Sequence, residues 1–289
     1  MEQPLGNGEF AKYQALGNDY IVVDPARLGL RLTPANIRAL CHRNLGIGSD
    51  GILALASPRA ADFGVRIFNP DGSEAEKSGN GVRIFARFLY DFRYTRKTTL
   101  SIHTKGGLVR AQLMVHGGQV ARIRVDMGRA TFVSSAIRVR GRRRAVVGER
   151  LDVGGESLRV TCVSIGNPHC VIFVPRLDVA VLRRLGPLIE HHPRFPHRTN
   201  VQLARVRSRR LVEALIWERG AGVTMASGSS SCAVAAAAFK QGLVDRRVTV
   251  SMPGGALAIA VSDQFDLRMT GPATLVYRGR LLCGCSKVG

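Results

Sequence analysis

The chain has 289 residues and a formal net charge of +21, from 42 Lys and Arg against 21 Asp and Glu; 45% of its residues are hydrophobic and 22% charged. That length suits one large domain or two ordinary ones, and the balance supplies a core and excludes a disordered chain, while 12 Pro against 32 Gly excludes collagen and Pro-rich linkers. The longest small-apolar stretch, residues 232–239, falls far short of the roughly 20 residues of a spanning helix, and the opening MEQPLGNGEF lacks the basic start and apolar run of a signal peptide, so a soluble, cytoplasmic protein is expected.

From the N-terminus, a β-branched run at 20–24 predicts a strand, and Thr33-Pro34 reads as the cap and first residue of a helix running to about Arg43. A strand over 64–68 follows. After Ser78, Val82, Phe85, Ala86 and Leu89 fall at helical spacing and predict a packed helix. Strands are expected over 99–103, 108–115 and 120–127, the last two turned by His116-Gly117-Gly118. Two more are expected over 158–164 and 169–174, and Asp178 caps a short helix ending at Gly186-Pro187. Strands over 201–206 and 211–217 lead to a second long helix. From Ser227 the chain is almost wholly small or apolar to Lys240, with Gly242 placed to end it. A helix apolar on all sides belongs in a core. Strands over 248–252, 257–261 and 274–277 complete the pattern, the first two turned by Pro253-Gly254-Gly255.

Strands, a Ser-Gly loop, a buried helix and hairpins thus occur in that order twice, with the two serines 149 residues apart. The pattern predicts two similar α+β halves, with a boundary in the basic, turn-rich segment 128–144. Each central helix opens on small residues, Ser78-Gly79-Asn80-Gly81 and Ser227-Gly228-Ser229-Ser230-Ser231. Unpaired N–H groups and the helix dipole make such a start a cradle for a carboxylate or phosphate; plain capping is the alternative. Neither loop is a GxGxxG in a βαβ unit. Further polar clusters are Asn69-Pro70-Asp71-Gly72-Ser73, Gly166-Asn167-Pro168-His169 and Glu218-Arg219-Gly220-Ala221-Gly222. Read singly, they are ordinary turns, a structural histidine and a surface ion pair. Asp71, Glu74 and Glu76 form an acidic run that supplies either a base or solvated helix caps.

Lys supplies only six of the 42 basic residues, so the charge is mostly arginine. Such an excess raises the question of nucleic acid. The basic residues are spread along the chain, however, with one dense run at 138–144 (RVRGRRR), and aromatics are only 6% with no stacking motif. A solvated, Arg-rich enzyme surface that draws in small anions is the expected meaning. Six cysteines, at 41, 162, 170, 232, 283 and 285, include no CxxC and are too sparse for a disulfide scaffold. Cys283 and Cys285 read either as a redox or metal pair or as thiols near the tail.

Taken together, FAKYQALGNDYIVVD (10–24), CHRNLGIGSDGIL (41–53), FNPDGSEAEKSGNGVRIFARFL (68–89), GNPHCVIFV (166–174), RTNVQL (198–203), WERGAGVTMASGSSSCAVAAAA (217–238) and the closing PGG and GPATLVYRG resemble the diaminopimelate epimerase family, in the family's order and over nearly the whole chain. The resemblance implies an α+β fold of two pseudo-symmetric halves, each a curved, mixed, mostly antiparallel sheet wrapped around a central helix. The halves would be 8–127 with a C-terminal strand at about 273–289, and 128–272. It also implies a substrate cleft between them, a small amino-acid substrate, no PLP, nucleotide or metal, and a homodimer. The family epimerises an amino-acid α-carbon with two cysteine bases, one at the start of each central helix. A thiol suits that task because its ordinary pKa of about 8.5 can be lowered at a helix N-terminus.

In this sequence both of those positions are serine, Ser78 and Ser227. Cys232 lies five positions further on and is expected to point elsewhere. By motif, Asn18, Asn69, Gly79, Asn80, Asn167, Asn200, Arg219, Gly228 and Ser229 match substrate-contacting positions, and His169 and Glu218 match auxiliary acid/base groups. Val223 stands where many members carry a Glu, and Lys77 and Ser229 to Ser231 also depart from the commonest pattern. Three readings follow: an epimerase whose proton transfers run through His169, Glu218 and the two serines; a relative acting on another small amino or carboxylic acid; or a non-catalytic amino-acid-binding homologue.

Overall fold

The computed structural model describes residues 3–76 and 78–282; the pair Cys283/Cys285 and Lys77 lie outside them. The chain divides into two compact units, Met1–Asp126 with Thr270–Gly289, and Met127–Met269.

In the first unit the strands are β1 (Glu9–Ala15), β2 (Asn18–Val23), β3 (Ile52–Ala56), β4 (Phe63–Phe68), β5 (Glu74–Ala75), β6 (Thr99–Thr104), β7 (Gly107–His116) and β8 (Gln119–Arg129). Its helices are α1 (Pro25–Leu28), α2 (Pro34–Cys41) and α3 (Gly79–Asp91). Strand β1 pairs antiparallel with β2, β3 with β4, β6 with β7 and β7 with β8, whereas β2 with β3 and β4 with β6 run parallel. Parallel neighbours need a crossover, and helices α1 and α2 supply the first and α3 the second. Helix α3 packs against β1, β2, β6 and β7, so the sheet curls around it. Its Phe85, Phe88 and the following Phe92 are fully buried, each worth roughly 1.5–3 kcal/mol of apolar burial. Helix α2 covers the other face through Ile37, Leu40 and Cys41, against Phe10, Ile21, Ile52 and Phe68.

The second unit holds α4 (Ser134–Ile137), β9 (Glu149–Val153), β10 (Glu156–Ser164), β11 (Pro168–Phe173), α5 (Val179–Glu190), β12 (Asn200–Ser208), β13 (Leu211–Glu218), β14 (Gly222–Thr224), α6 (Gly228–Lys240), β15 (Arg247–Met252), β16 (Gly255–Val261) and β17 (Asp266–Gly271). Antiparallel pairs join β9 to β10, β10 to β11, β12 to β13 and β15 to β16. Parallel pairs join β11 to β12 across α5 and β13 to β15 across α6. Helix α6 is buried from Ser230 to Ala238. Only small side chains allow six strands, β10 to β13, β15 and β16, to close on one helix. The chain then returns to the first unit as β18 (Thr274–Arg280), antiparallel to β1. With β18 counted, the pairing sequence β18-β1-β2-β3-β4-β6-β7 repeats as β9-β10-β11-β12-β13-β15-β16, each step matching in sense.

Two sequence expectations need correction. The helix capped by Asp178 does not stop at Gly186-Pro187 but runs to Glu190, with Pro187 inside it. Buried Ile189 and Glu190 hold the turn beyond the proline: Trp217 Nε1 donates to Glu190 Oε2 at 2.7 Å and the Gly220 N–H to Oε1 at 3.0 Å. The acidic run caps no helix. Asp71 accepts from the Ser73 N–H and hydroxyl, and Glu74 pairs with Arg66 at 2.9 Å. The arginine run forms the connection from α4 to β9. Arg138, Arg140, Arg142 and Arg143 are exposed, and Arg144 is clamped on Glu149 by bonds of 2.6 and 2.7 Å. Among the described residues no helix is long and apolar enough to cross a membrane.

Candidate active site

Ser78 and Ser227 are the N-caps of the two central helices, and their backbones nearly coincide: φ −135°, ψ 119° for Ser78 and φ −142°, ψ 128° for Ser227. Each hydroxyl accepts the N–H three residues on, Gly81 at 3.0 Å and Ser230 at 3.4 Å. The α6 cap thus serves Ser230, leaving the first-turn N–H groups of Gly228 and Ser229 without an i−4 partner. The helix dipole adds positive potential at the same place. Plain capping and an anion cradle are therefore compatible, since the cap occupies only one first-turn N–H.

In the first unit a directed chain of hydrogen bonds crosses the start of α3. Arg83, fully buried, donates from Nη2 to Asn80 Oδ1 at 2.9 Å; Asn80 Nδ2 donates to Asn18 Oδ1 at 3.1 Å; Asn18 Nδ2 donates to Asp50 Oδ2 at 2.9 Å. A guanidinium only donates and a carboxylate only accepts, so both amides between them have a fixed orientation. Arg83 also donates to Gly79 O at 3.3 Å, which ties the first helical residue to the same chain. The Asp50 end is anchored by Arg43, which bridges Asp50 at 2.6 Å and Asp19 at 2.9 Å, with Lys12 on Asp19 at 2.6 Å. Burial pushes Asp19 up, but hydrogen bonds from Arg43 and Lys12 outweigh it and hold that carboxyl at about 2. Asn69 stands apart from this chain. Its amide nitrogen donates to Ser73 Oγ at 2.9 Å within its own turn.

The second unit has a counterpart. Gln202 Nε2 lies 3.1 Å from both His169 Nδ1 and Ser230 Oγ, and His169 Nε2 lies 3.0 Å from Asn167 Oδ1. With Gln202 donating, His169 carries its proton on Nε2, and Asn167 turns its amide nitrogen toward Ser229 Oγ at 3.4 Å. His169 is completely buried; burial, with Arg219 adding to it, pushes its pKa down to about 3. It is thus a neutral ring with both nitrogens engaged. Asn200 donates to Pro168 O at 2.8 Å and accepts the Arg219 N–H at 3.0 Å, pinning β11 to the turn after β13. Arg219 donates from Nη1 to His197 O. Glu218 is half-buried at the end of β13, and its carbonyl closes the turn by accepting from the Ala221 N–H. Val223 is exposed on β14, and Cys232 is buried within α6.

Motif reading locates the caps, the amides and His169, but not the other groups that orient them. Gln202 is polar between the apolar Val201 and Leu203, and Arg83 interrupts the apolar run of α3, so each carried a local signal. Tyr20, whose hydroxyl is 3.2 Å from Ser78 Oγ, and Asp50 gave none, because their partners lie 58 and 32 residues away. The model of the family described as diaminopimelate epimerase matches residues 10–133 and 161–276. The chain belongs to the diaminopimelate epimerase family. Among curated relatives, diaminopimelate epimerase 2 of Nostoc sp. (strain PCC 7120) is 48% identical, covering 94% of this chain and 95% of that protein. The diaminopimelate epimerase of Desulfitobacterium hafniense is 43% identical, covering 95% and 98%. Among solved structures, a probable proline racemase from Agrobacterium radiobacter K84 superposes with a TM-score of 0.72 at 15% identity, covering 95% of this chain and 93% of that one. A methylitaconate-delta-isomerase does so at 0.66 and 13%, covering 94% of each. The two structural likenesses concern the fold alone.

Proposed function

We propose that this protein is an isomerase that epimerises diaminopimelate between its LL and meso forms by proton transfer at Cα, without PLP or metal. The 48% identity to a diaminopimelate epimerase over 94% of the chain carries the reading. The site chemistry supports it. Helix-start N–H groups and the oriented amides of Asn18, Asn80 and Asn167 are donors suited to a carboxylate that gains negative charge as the α-proton leaves. Ser78 and Ser227 are the groups that exchange protons with Cα. Glu218 is the auxiliary acid/base group of the second unit. His169, neutral and bonded at both nitrogens, orients Asn167, while Asn200 and Arg219 shape the substrate-binding turn with Gly228 and Ser229. Gly79 and Asn69 complete the contacts of the first unit.

We further propose that the protein is cytoplasmic and a homodimer, and that its arginine surface attracts anionic metabolites and not nucleic acid. One observation favours a second reading, a relative acting on another small amino or carboxylic acid. It is the hydroxyl at each central-helix cap, Ser78 and Ser227, where the family resemblance implies a thiol. Chiral chromatography of LL- and meso-diaminopimelate incubated with the protein separates the readings. Interconversion of the two is expected; turnover of a different acid in a panel, with diaminopimelate untouched, would favour the second.

A further inference from the structure

Ser78 stands where the chemistry asks for a base, and an aliphatic hydroxyl is a poor one. As an acid it is comparable with water, far weaker than any side chain that ionises near neutral pH. A phenol, at about 10, is several units more acidic. One phenol is in contact: Tyr20 Oη lies 3.2 Å from Ser78 Oγ. Its placement is built into the fold. Tyr20 sits on β2, two residues after Asn18, and is only 7% exposed. Its ring packs on Gly51, where a Cβ would come within 2.8 Å of Tyr20 Cε1, so any larger residue there would push the phenol away. On the serine side, the Gly81 N–H already donates to Ser78 Oγ.

We propose that Tyr20 is the proton-relay partner of Ser78, supplying through its phenol oxygen the acid/base strength that the serine hydroxyl lacks. The inference rests on the epimerase reading. In the abstracting direction Tyr20 has first lost its proton to solvent. The substrate Cα–H bond then breaks, its electron pair stays on the Cα–carboxylate unit, the proton passes to Ser78 Oγ, and the original Ser78 proton passes to the Tyr20 phenolate. In the other direction Tyr20 gives its proton to Ser78 as Ser78 gives its own to Cα. Ser78 begins and ends each pass as a neutral hydroxyl; the negative charge is on the phenol before abstraction and after delivery, and on the substrate in between.

Tyr20→Phe removes one oxygen and keeps the ring against Gly51. The test uses the full-length protein and follows Cα deuteration of LL-diaminopimelate in D₂O for the wild type, Tyr20→Phe, Ser78→Cys and the double variant. Loss of a general acid/base group costs about 10²–10⁴-fold in rate, so kcat of Tyr20→Phe is expected to fall at least 100-fold with KM changed less than about threefold. A thiol needs no such partner. In the Ser78→Cys background the same Tyr20→Phe change is expected to alter kcat less than about threefold, and the activity of that double variant shows that Tyr20→Phe folds. An active wild type with unchanged kcat in Tyr20→Phe, or an equal loss in both backgrounds, overturns the relay alone. An inactive wild type overturns the epimerase reading and the relay with it.

Discussion

His169 combines complete burial with a nearby positive charge from Arg219, and the two act in the same sense. Its folded pKa of about 3 lies below the ordinary 6.5, so the fold favours the neutral ring. Above pH 6.5 the folded and unfolded chains both hold it neutral and its contribution is fully present. As pH falls from about 6.5 toward about 3, the unfolded chain takes up a proton that the folded chain refuses, and stability declines. Asp19, held at about 2 against an ordinary 3.8, adds a decline of the same sign at lower pH. Thermal midpoints of the wild type and His169→Gln across pH 4–7 check this. The wild type is expected to lose stability more steeply than the variant, and parallel curves would contradict it. Motif matching reaches His169 but not its state, because Gln202, 33 residues on, and the surrounding core decide it.

At the scale of the element, N-caps were the most legible feature. Thr33, Ser78, Asp178 and Ser227 each cap a helix with a side-chain hydrogen bond, because these residue types satisfy first-turn N–H groups wherever they stand. Strand β1 is less legible: Lys12 interrupts its apolar pattern and is buried because Asp19 pairs with its ammonium and the Gly48 carbonyl accepts from it. Strands β3, β9 and β17 are short and are fixed by their neighbours more than by their own composition. Helix α5 outruns the end that its Gly-Pro pair predicts, since Gly-Pro normally stops a helix. Here Gly186 is required by contact: a Cβ would lie 2.6 Å from the Trp217 ring. Overpacking of this kind costs about 1–3 kcal/mol. Gly186→Ala is therefore expected to lower the unfolding free energy by that amount, read as a lower denaturant midpoint at unchanged m-value, and, because Trp217 and Gly220 share Glu190, to weaken substrate binding as well. A variant as stable as the wild type would show that Trp217 can yield.

For the molecule as a whole, two units with the same order and sense of strand pairing place a capped, buried helix at the same point in each. That repeat was legible from two Ser-Gly loops 149 residues apart, although the halves scarcely match in sequence. Topology is set by where the apolar runs and crossovers fall, and many residues satisfy it. The central claim is that hydroxyls at both caps still move the α-proton. The measurement closest to it is proton NMR and mass spectrometry of early turnover in D₂O, starting separately from LL- and meso-diaminopimelate. With two exchanging groups acting in turn, the product is expected to carry one solvent deuterium at Cα while unreacted substrate stays protiated, in both directions. A folded wild-type protein that leaves the Cα–H of both isomers intact would contradict the account.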